Sequence, residues 1–184
     1  MANDYILWSD DDAWWSLGTL ERMIGIMDQR MEIDILAGVF GGRDHFSPAF
    51  AWQRFNDNSS MVDPGRNCGL AEIVPIANTG LHFVVMRRAA LERVGEAPFS
   101  LPTPEWPQED LAFFYHVLLV GLRSFVDAAS FIAHIGDHGD AYVVGSPKGR
   151  IVNGDLVLPT QFEIPNGPRN LEPVRSYGLP SYGI

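Results

Sequence analysis

The chain has 184 residues, 46% of them hydrophobic and 20% charged, the composition of one globular domain large enough to bury a core. Its 13 basic and 23 acidic residues give a formal charge of -10, which excludes a general nucleic-acid binder and docking by charge on an anionic membrane face. A single cysteine, Cys68, excludes an internal disulfide and a cysteine-built zinc site; with no basic leader and no run of roughly 20 apolar residues, the expectation is a cytoplasmic protein without a transmembrane segment.

Tyr5 to Trp8 reads as a buried strand, aromatic and aliphatic and ended abruptly by Ser9 and Asp10. Ser16-Leu17-Gly18-Thr19 is a turn and helix start, and Leu20, Met23, Ile24 and Met27 follow at helical spacing with Glu21 and Arg22 outside. Ile33 to Phe40 reads as a second strand, closed by Gly41-Gly42. Between Arg43 and about Gly69 one or two short edge strands are expected, because aromatic residues alternate with turn-formers. Ile73 to Ala77 is a strand leading into Asn78-Thr79-Gly80, Leu81 to Met86 is another apolar stretch, and Arg87 to Val94 has the propensity of a helix stopped by Gly95.

A proline-rich loop carrying Trp106 precedes Gln108-Glu109-Asp110, and these head an apolar helix to about Val120. Arg123 to Ala128 is a strand, followed by Phe131-Ile132-Ala133-His134-Ile135-Gly136. Beyond residue 142, Asn153-Gly154 is a favoured hairpin turn pair, so Tyr142 to Val144 and Gly149 to Leu158 are expected to form a hairpin. From Pro159 on, recurring Pro, Gly and Asn predict an extended tail. The division that follows is 1–142 for the main portion and 143–184 for the hairpin and tail.

Asp10-Asp11-Asp12 sits at the C-terminal edge of the first strand, where open α/β sheets bind ligands. Adjacent carboxylates repel, and a divalent cation relieves that repulsion. Mg²⁺ and Mn²⁺ take carboxylate oxygens, and Mn²⁺ also accepts imidazole. In an extended segment Asp10 and Asp12 point to the same side and can converge. The plain alternative is a solvated acidic turn capping the next helix. Glu109 and Asp110 offer a carboxylate base beside the Pro/Trp loop, or simply complete a helix N-terminus. His134 can complete a metal site begun by carboxylates, or be a core histidine. Trp106 can stack on a sugar ring or anchor its loop. Gly80 either lets the backbone approach a sugar or makes a turn.

The order of these signals resembles the second half of the GT-A glycosyltransferases of the family 2-like kind. The resemblance runs through Asp10-Asp11-Asp12-Ala13-Trp14-Trp15-Ser16-Leu17-Gly18-Thr19-Leu20-Glu21-Arg22, then Asn78-Thr79-Gly80-Leu81-His82-Phe83-Val84-Val85-Met86-Arg87-Arg88-Ala89-Ala90-Leu91-Glu92-Arg93-Val94-Gly95, then Gln108-Glu109-Asp110-Leu111-Ala112-Phe113-Phe114, and last His134-Ile135-Gly136. It covers about residues 4 to 140 and implies a partial GT-A fold: α/β, Rossmann-like, a mixed sheet flanked by helices, here with a C-terminal hairpin and extended tail. It implies a metal-dependent enzyme that moves a sugar from a nucleotide-sugar donor to a carbohydrate or other hydroxyl acceptor, with inversion. Asp10, Asp12 and His134 would hold Mn²⁺ or Mg²⁺, Asp10 and Asp11 would face the donor, Asp110 would be the catalytic base, and Glu109 would place the acceptor.

The family opens with βαβ units that hold the base and ribose, at about 30 or more residues each, and only nine residues precede Asp10. Three explanations fit: one half of a split enzyme completed by another polypeptide or a homo-oligomer, a truncated product, or a non-catalytic GT-A remnant kept for binding or assembly. An unpaired edge beside Tyr5 to Trp8 would favour a partner. A phosphohydrolase using paired aspartates would want lysine beside its nucleophile, and lysine is scarce here.

Overall fold

A computed structural model describes residues 4–42, 51–55, 62, 73–102, 108–143 and 148–157. The first element, β1 (Tyr5–Ser9), is followed by the short β2 (Ala13–Trp14) and helix α1 (Leu17–Gln29). Strand β3 (Ile35–Val39) comes next, then β4 (Ala51–Trp52), β5 (Ile73–Ile76), β6 (Asn78–Thr79) and β7 (Phe83–Arg87). Helices α2 (Arg88–Val94) and α3 (Glu109–Leu119) precede β8 (Ser124–Phe131), β9 (Ala133–Ile135), β10 (Asp140–Tyr142), β11 (Gly149–Val152) and β12 (Asp155–Val157).

The main sheet has five strands in the order β1-β7-β3-β8-β5. β3 and β8 are parallel, and the other pairings are antiparallel. The sheet is therefore mixed, with β1, β3 and β8 running one way and ending at the same edge. Its two faces follow from strand alternation: Ile35, Ala37 and Val39 pack on one side with Phe113, Phe114 and Val117 of α3. Leu36 packs on the other side with Phe83, Val85 and with Met23 and Met27 of α1. Helices thus cover both faces of a sheet whose strands read as near-continuous apolar runs. Each fully buried side chain of this kind contributes about 1.5–3 kcal/mol. Helix α1 starts where the sequence places it, because Ser16 Oγ accepts the Thr19 backbone N–H at 3.1 Å.

A second five-stranded sheet runs β12-β11-β10-β9-β2. The Asn153-Gly154 turn does join two strands, β11 and β12, and both residues take the positive φ that such a turn demands (53° and 90°). The hairpin is not an appendage, however. β11 also pairs with β10, and β10 with β9, so the sheet crosses the division drawn at residue 142.

The two sheets are joined by an irregularity in β8. Gly38 of β3 faces Asp127 but the next residue, Val39, faces Phe131, so residues 128–130 bulge out of the ladder. Asp127, fully buried, holds the bulge by accepting from Ala129 N and Ser130 Oγ, and it is clamped from α1 by Arg22 at 2.7 and 3.0 Å. Past the bulge, Ile132 N donates to Val39 O, and the chain turns into β9 of the second sheet. Gly38 is required there, since a Cβ would lie 2.5 Å from Ile132 Cγ1.

Some expectations change. Asn78-Thr79 is a buried strand paired with Ala51-Trp52 and not a turn. That pairing also supplies one of the short strands expected between 43 and 69, and most of that stretch, with Cys68, lies outside the described residues, as do Trp106 and the tail from Pro159. The aspartate triplet is not extended: Asp11 and Asp12 form a turn, with Ala13 N donating to Asp10 O at 3.3 Å. The chain bends because β2 must leave the main sheet to pair with β9.

Candidate metal centre and active site

Two strand registers build the site at the edge where β1, β3 and β8 end. The β1–β7 ladder pairs Ser9 with Phe83, and its next bond runs from Asp10 N to His82 O at 3.0 Å. This sets Asp10 opposite His82. The β2–β9 pairing sets Ala13 opposite His134, and Ile135 N donates to Asp12 O at 2.7 Å. His134 is thereby held beside Asp12. Asp10 and Asp12 converge through the turn between two ladders, where strand alternation alone would have needed an extended chain.

The side chains meet around His82. Its Nδ1 lies 3.1 Å from Asp10 Oδ2 and 3.7 Å from Asp12 Oδ1. The His82 and His134 rings lie with centroids 3.7 Å apart and planes tilted by 33°, and Phe40 packs on both. One oxygen of Asp12 and one nitrogen from each imidazole all lie within 4.8 Å of one another.

The hydrogen bonds settle what each ring offers. A carboxylate only accepts, so His82 Nδ1 carries the hydrogen in its bond to Asp10. His134 Nδ1 lies 2.5 Å from the Gly41 carbonyl oxygen, so it too is the donor. With Nδ1 as the donor, a neutral His82 ring carries its lone pair on Nε2. His82 is 3% exposed, and its Nε2 is buried with no hydrogen-bond partner among the described residues. A buried polar atom left unpaired costs about 1–3 kcal/mol. A divalent cation would remove that cost, and the imidazole and carboxylate donors suit one.

Asp110 closes the other side. It stands in the first turn of α3, half-buried, and accepts from the Leu81 backbone N–H. Burial pushes its carboxyl above the usual aspartate range; the Leu81 N–H opposes this, the charges of Glu109 and Asp10 add to it, and His82 opposes it. Gly80 makes the fit possible. A Cβ there would lie 2.8 Å from Phe40 Cζ and 3.3 Å from Asp110 Oδ2.

Of the residues singled out by sequence, Asp10, Asp12, His134, Gly80 and Asp110 come together in one region. Asp11 is exposed on the turn, Glu109 is exposed on the first turn of α3, and Trp106 lies outside the described residues. His82 was missed. Its signal was available: a histidine inside the otherwise apolar stretch Leu81 to Met86 is unusual unless its nitrogens are used. Among the described residues no helix is long and apolar enough to cross a membrane.

No protein-family model and no curated protein matches the chain. Among solved structures, the crystal structure of A197 from STIV matches with a TM-score of 0.54 and 15% sequence identity, covering 86% of this chain and 68% of that one. At that identity the likeness is one of fold: this chain shares a mixed α/β architecture with A197 from STIV.

Proposed function

We propose that this chain is the metal-binding and catalytic portion of a GT-A glycosyltransferase, transferring a sugar from a nucleotide-sugar donor to an acceptor hydroxyl with inversion. The observation that carries the reading is the meeting of Asp110 with the Asp10–His82–Asp12–His134 group across Gly80. The motif resemblance supplies the reaction class. Asp110 takes the proton from the acceptor hydroxyl as that oxygen attacks the anomeric carbon. Its raised pKa suits the role, because a base is strongest when its pKa approaches the working pH. Asp10 and Asp11 face the donor, and Glu109, with Trp106 on the preceding loop, helps to orient the acceptor. A divalent cation, Mn²⁺ or Mg²⁺, would be held by Asp12 and His134 with Asp10 beside them, and it supplies neutralisation of the departing diphosphate.

β1 ends the main sheet and pairs only with β7 among the described residues. An exposed strand edge is a template for another strand. We assign that edge to strand pairing with another polypeptide or with a second copy of this chain. Against the alternative of a non-catalytic assembly module stands the proximity of His134 to Asp12, which such a module would not need.

The test is a panel of nucleotide sugars with Mn²⁺, assayed by mass spectrometry for transfer and for donor hydrolysis, with the chain alone and with candidate complementing polypeptides. Turnover that Asp110→Asn removes is the expected result. No turnover of any donor under either condition would overturn the reading.

A further inference from the structure

We propose that His82, Asp12 and His134 form a two-imidazole, one-carboxylate centre for a transition-metal ion, with Asp10 as the residue that positions His82. This rests on the metal-dependent reading above and reassigns its ligands: His82 enters and Asp10 moves outward.

Three observations carry it. Each imidazole is oriented through Nδ1 by an oxygen, His82 by Asp10 and His134 by Gly41. That is how ligating histidines are usually held, with the far nitrogen bonded to a carboxylate or carbonyl that fixes tautomer and ring orientation. Second, His82 Nε2 is buried and unpartnered among the described residues, an arrangement with no purpose in an apolar core. Third, a nitrogen of each ring and an oxygen of Asp12 already lie within 4.8 Å of one another. Asp10 is the more exposed carboxylate, with 47% of its side chain accessible against 25% for Asp12, and its Oδ2 is engaged by His82.

The donor set decides the metal class. Mg²⁺ prefers oxygen ligands and keeps its waters. Imidazole suits Fe²⁺, Co²⁺ and Zn²⁺, and a site with two histidines and one carboxylate leaves positions open for a ligand such as a diphosphate. The site should therefore select Mn²⁺, Fe²⁺, Co²⁺ or Zn²⁺ over Mg²⁺.

The experiment titrates the full chain with Co²⁺, followed by visible absorption and calorimetry, and counts coordinated imidazoles on the Cu²⁺-loaded protein by electron spin echo modulation. Two imidazoles are expected, with Mg²⁺ failing to displace Co²⁺ at about 10-fold excess. His82→Gln should weaken Co²⁺ binding more than any change at Asp10. Asp10→Asn keeps an oxygen to accept from Nδ1 and should bind nearly as wild type, whereas Asp10→Ala should lose about 10–100-fold. Metal-free circular dichroism checks that each variant folds; if His82→Gln does not, the imidazole count on the wild-type chain decides. A single imidazole, displacement of Co²⁺ by Mg²⁺ at matched concentration, or a larger loss in Asp10→Asn than in His82→Gln would overturn the ligand assignment while leaving metal-dependent transfer standing. Two imidazoles in a protein that turns over no nucleotide sugar would uphold the assignment and defeat the proposed function.

Discussion

His82 Nδ1 and Asp10 Oδ2 lie 3.1 Å apart although 72 residues separate them in the chain. The pair exists because β1 and β7 are neighbours in one register, and a slip by one residue would turn either side chain to the opposite face. The strand that presents the aspartates and the strand that begins beside His82 are thus one structural unit, and stability and site geometry are coupled through it.

Metal binding should stabilise the fold. At a Mn²⁺ concentration of 100 times Kd the gain is about 2.7 kcal/mol, which for a domain of this size raises Tm by about 5–11 °C. Asp12→Ala should abolish that rise in a thermal-shift measurement, since Asp12 is the carboxylate ligand of the proposed centre. An undiminished rise in this variant would remove Asp12 from the site.

Asp110→Asn should lower kcat by about 10²–10⁴-fold while leaving Co²⁺ binding in place. In the wild-type enzyme, the acid limb of kcat/KM should fall above the roughly 3.9 of a free aspartate, because burial raises the carboxyl. An unshifted limb, or an unchanged kcat, would argue against Asp110 as base.

The same shift has a stability consequence of definite sign. Folding raises the Asp110 pKa, so the folded state binds more protons in the interval between the unfolded and folded values, and stability falls as pH rises through it. Asp110→Asn should therefore raise the Tm of the metal-free protein at neutral pH and leave it unchanged below the unfolded pKa. Urea melts of both proteins in chelator across that range read the difference directly.

Gly80→Ala introduces a Cβ against Phe40 and the Asp110 carboxylate. Overpacking of this kind costs about 1–3 kcal/mol. The expected outcome is a lower Tm together with a loss of kcat larger than the stability change explains, because Phe40 also packs on both imidazoles.

Arg22→Ala leaves the buried Asp127 carboxylate, among the described residues, with the Ser130 hydroxyl and the Ala129 N–H as its remaining hydrogen-bond partners. Removing one partner of a buried ion pair costs about 3–5 kcal/mol; Arg22 is 40% exposed, so the lower end is expected by urea denaturation. Arg22→Ala with Asp127→Asn should recover part of the loss. Metal affinity should also fall in the single variant, since the bulge that Asp127 holds directs the chain to His134.

Much of the fold was legible because its signals are local. Helix α1 declares itself by Leu20, Met23, Ile24 and Met27 at helical spacing and by Ser16 at its cap. β1 and β3 are apolar runs too short for helices, and Asn153-Gly154 marks a turn by its tolerance of positive φ. The Asp10-Asp11-Asp12 cluster at a strand end and the acidic first turn of α3 could each be read as site candidates for the same reason.

What the sequence by itself determined is therefore which segments form elements and which side chains carry charge, since periodicity, capping and turn chemistry act within a few residues. Only the tertiary structure decided that Asp12, His82 and His134 face one another, that Asp10 engages an imidazole, and that the hairpin continues a second sheet through β9 to β2. Those facts depend on strand register and on the bulge after Asp127, which are set by packing and hydrogen bonds between segments far apart in the chain. No local pattern encodes such a pairing: a histidine in an apolar run reads the same whether or not an aspartate from another strand lies opposite.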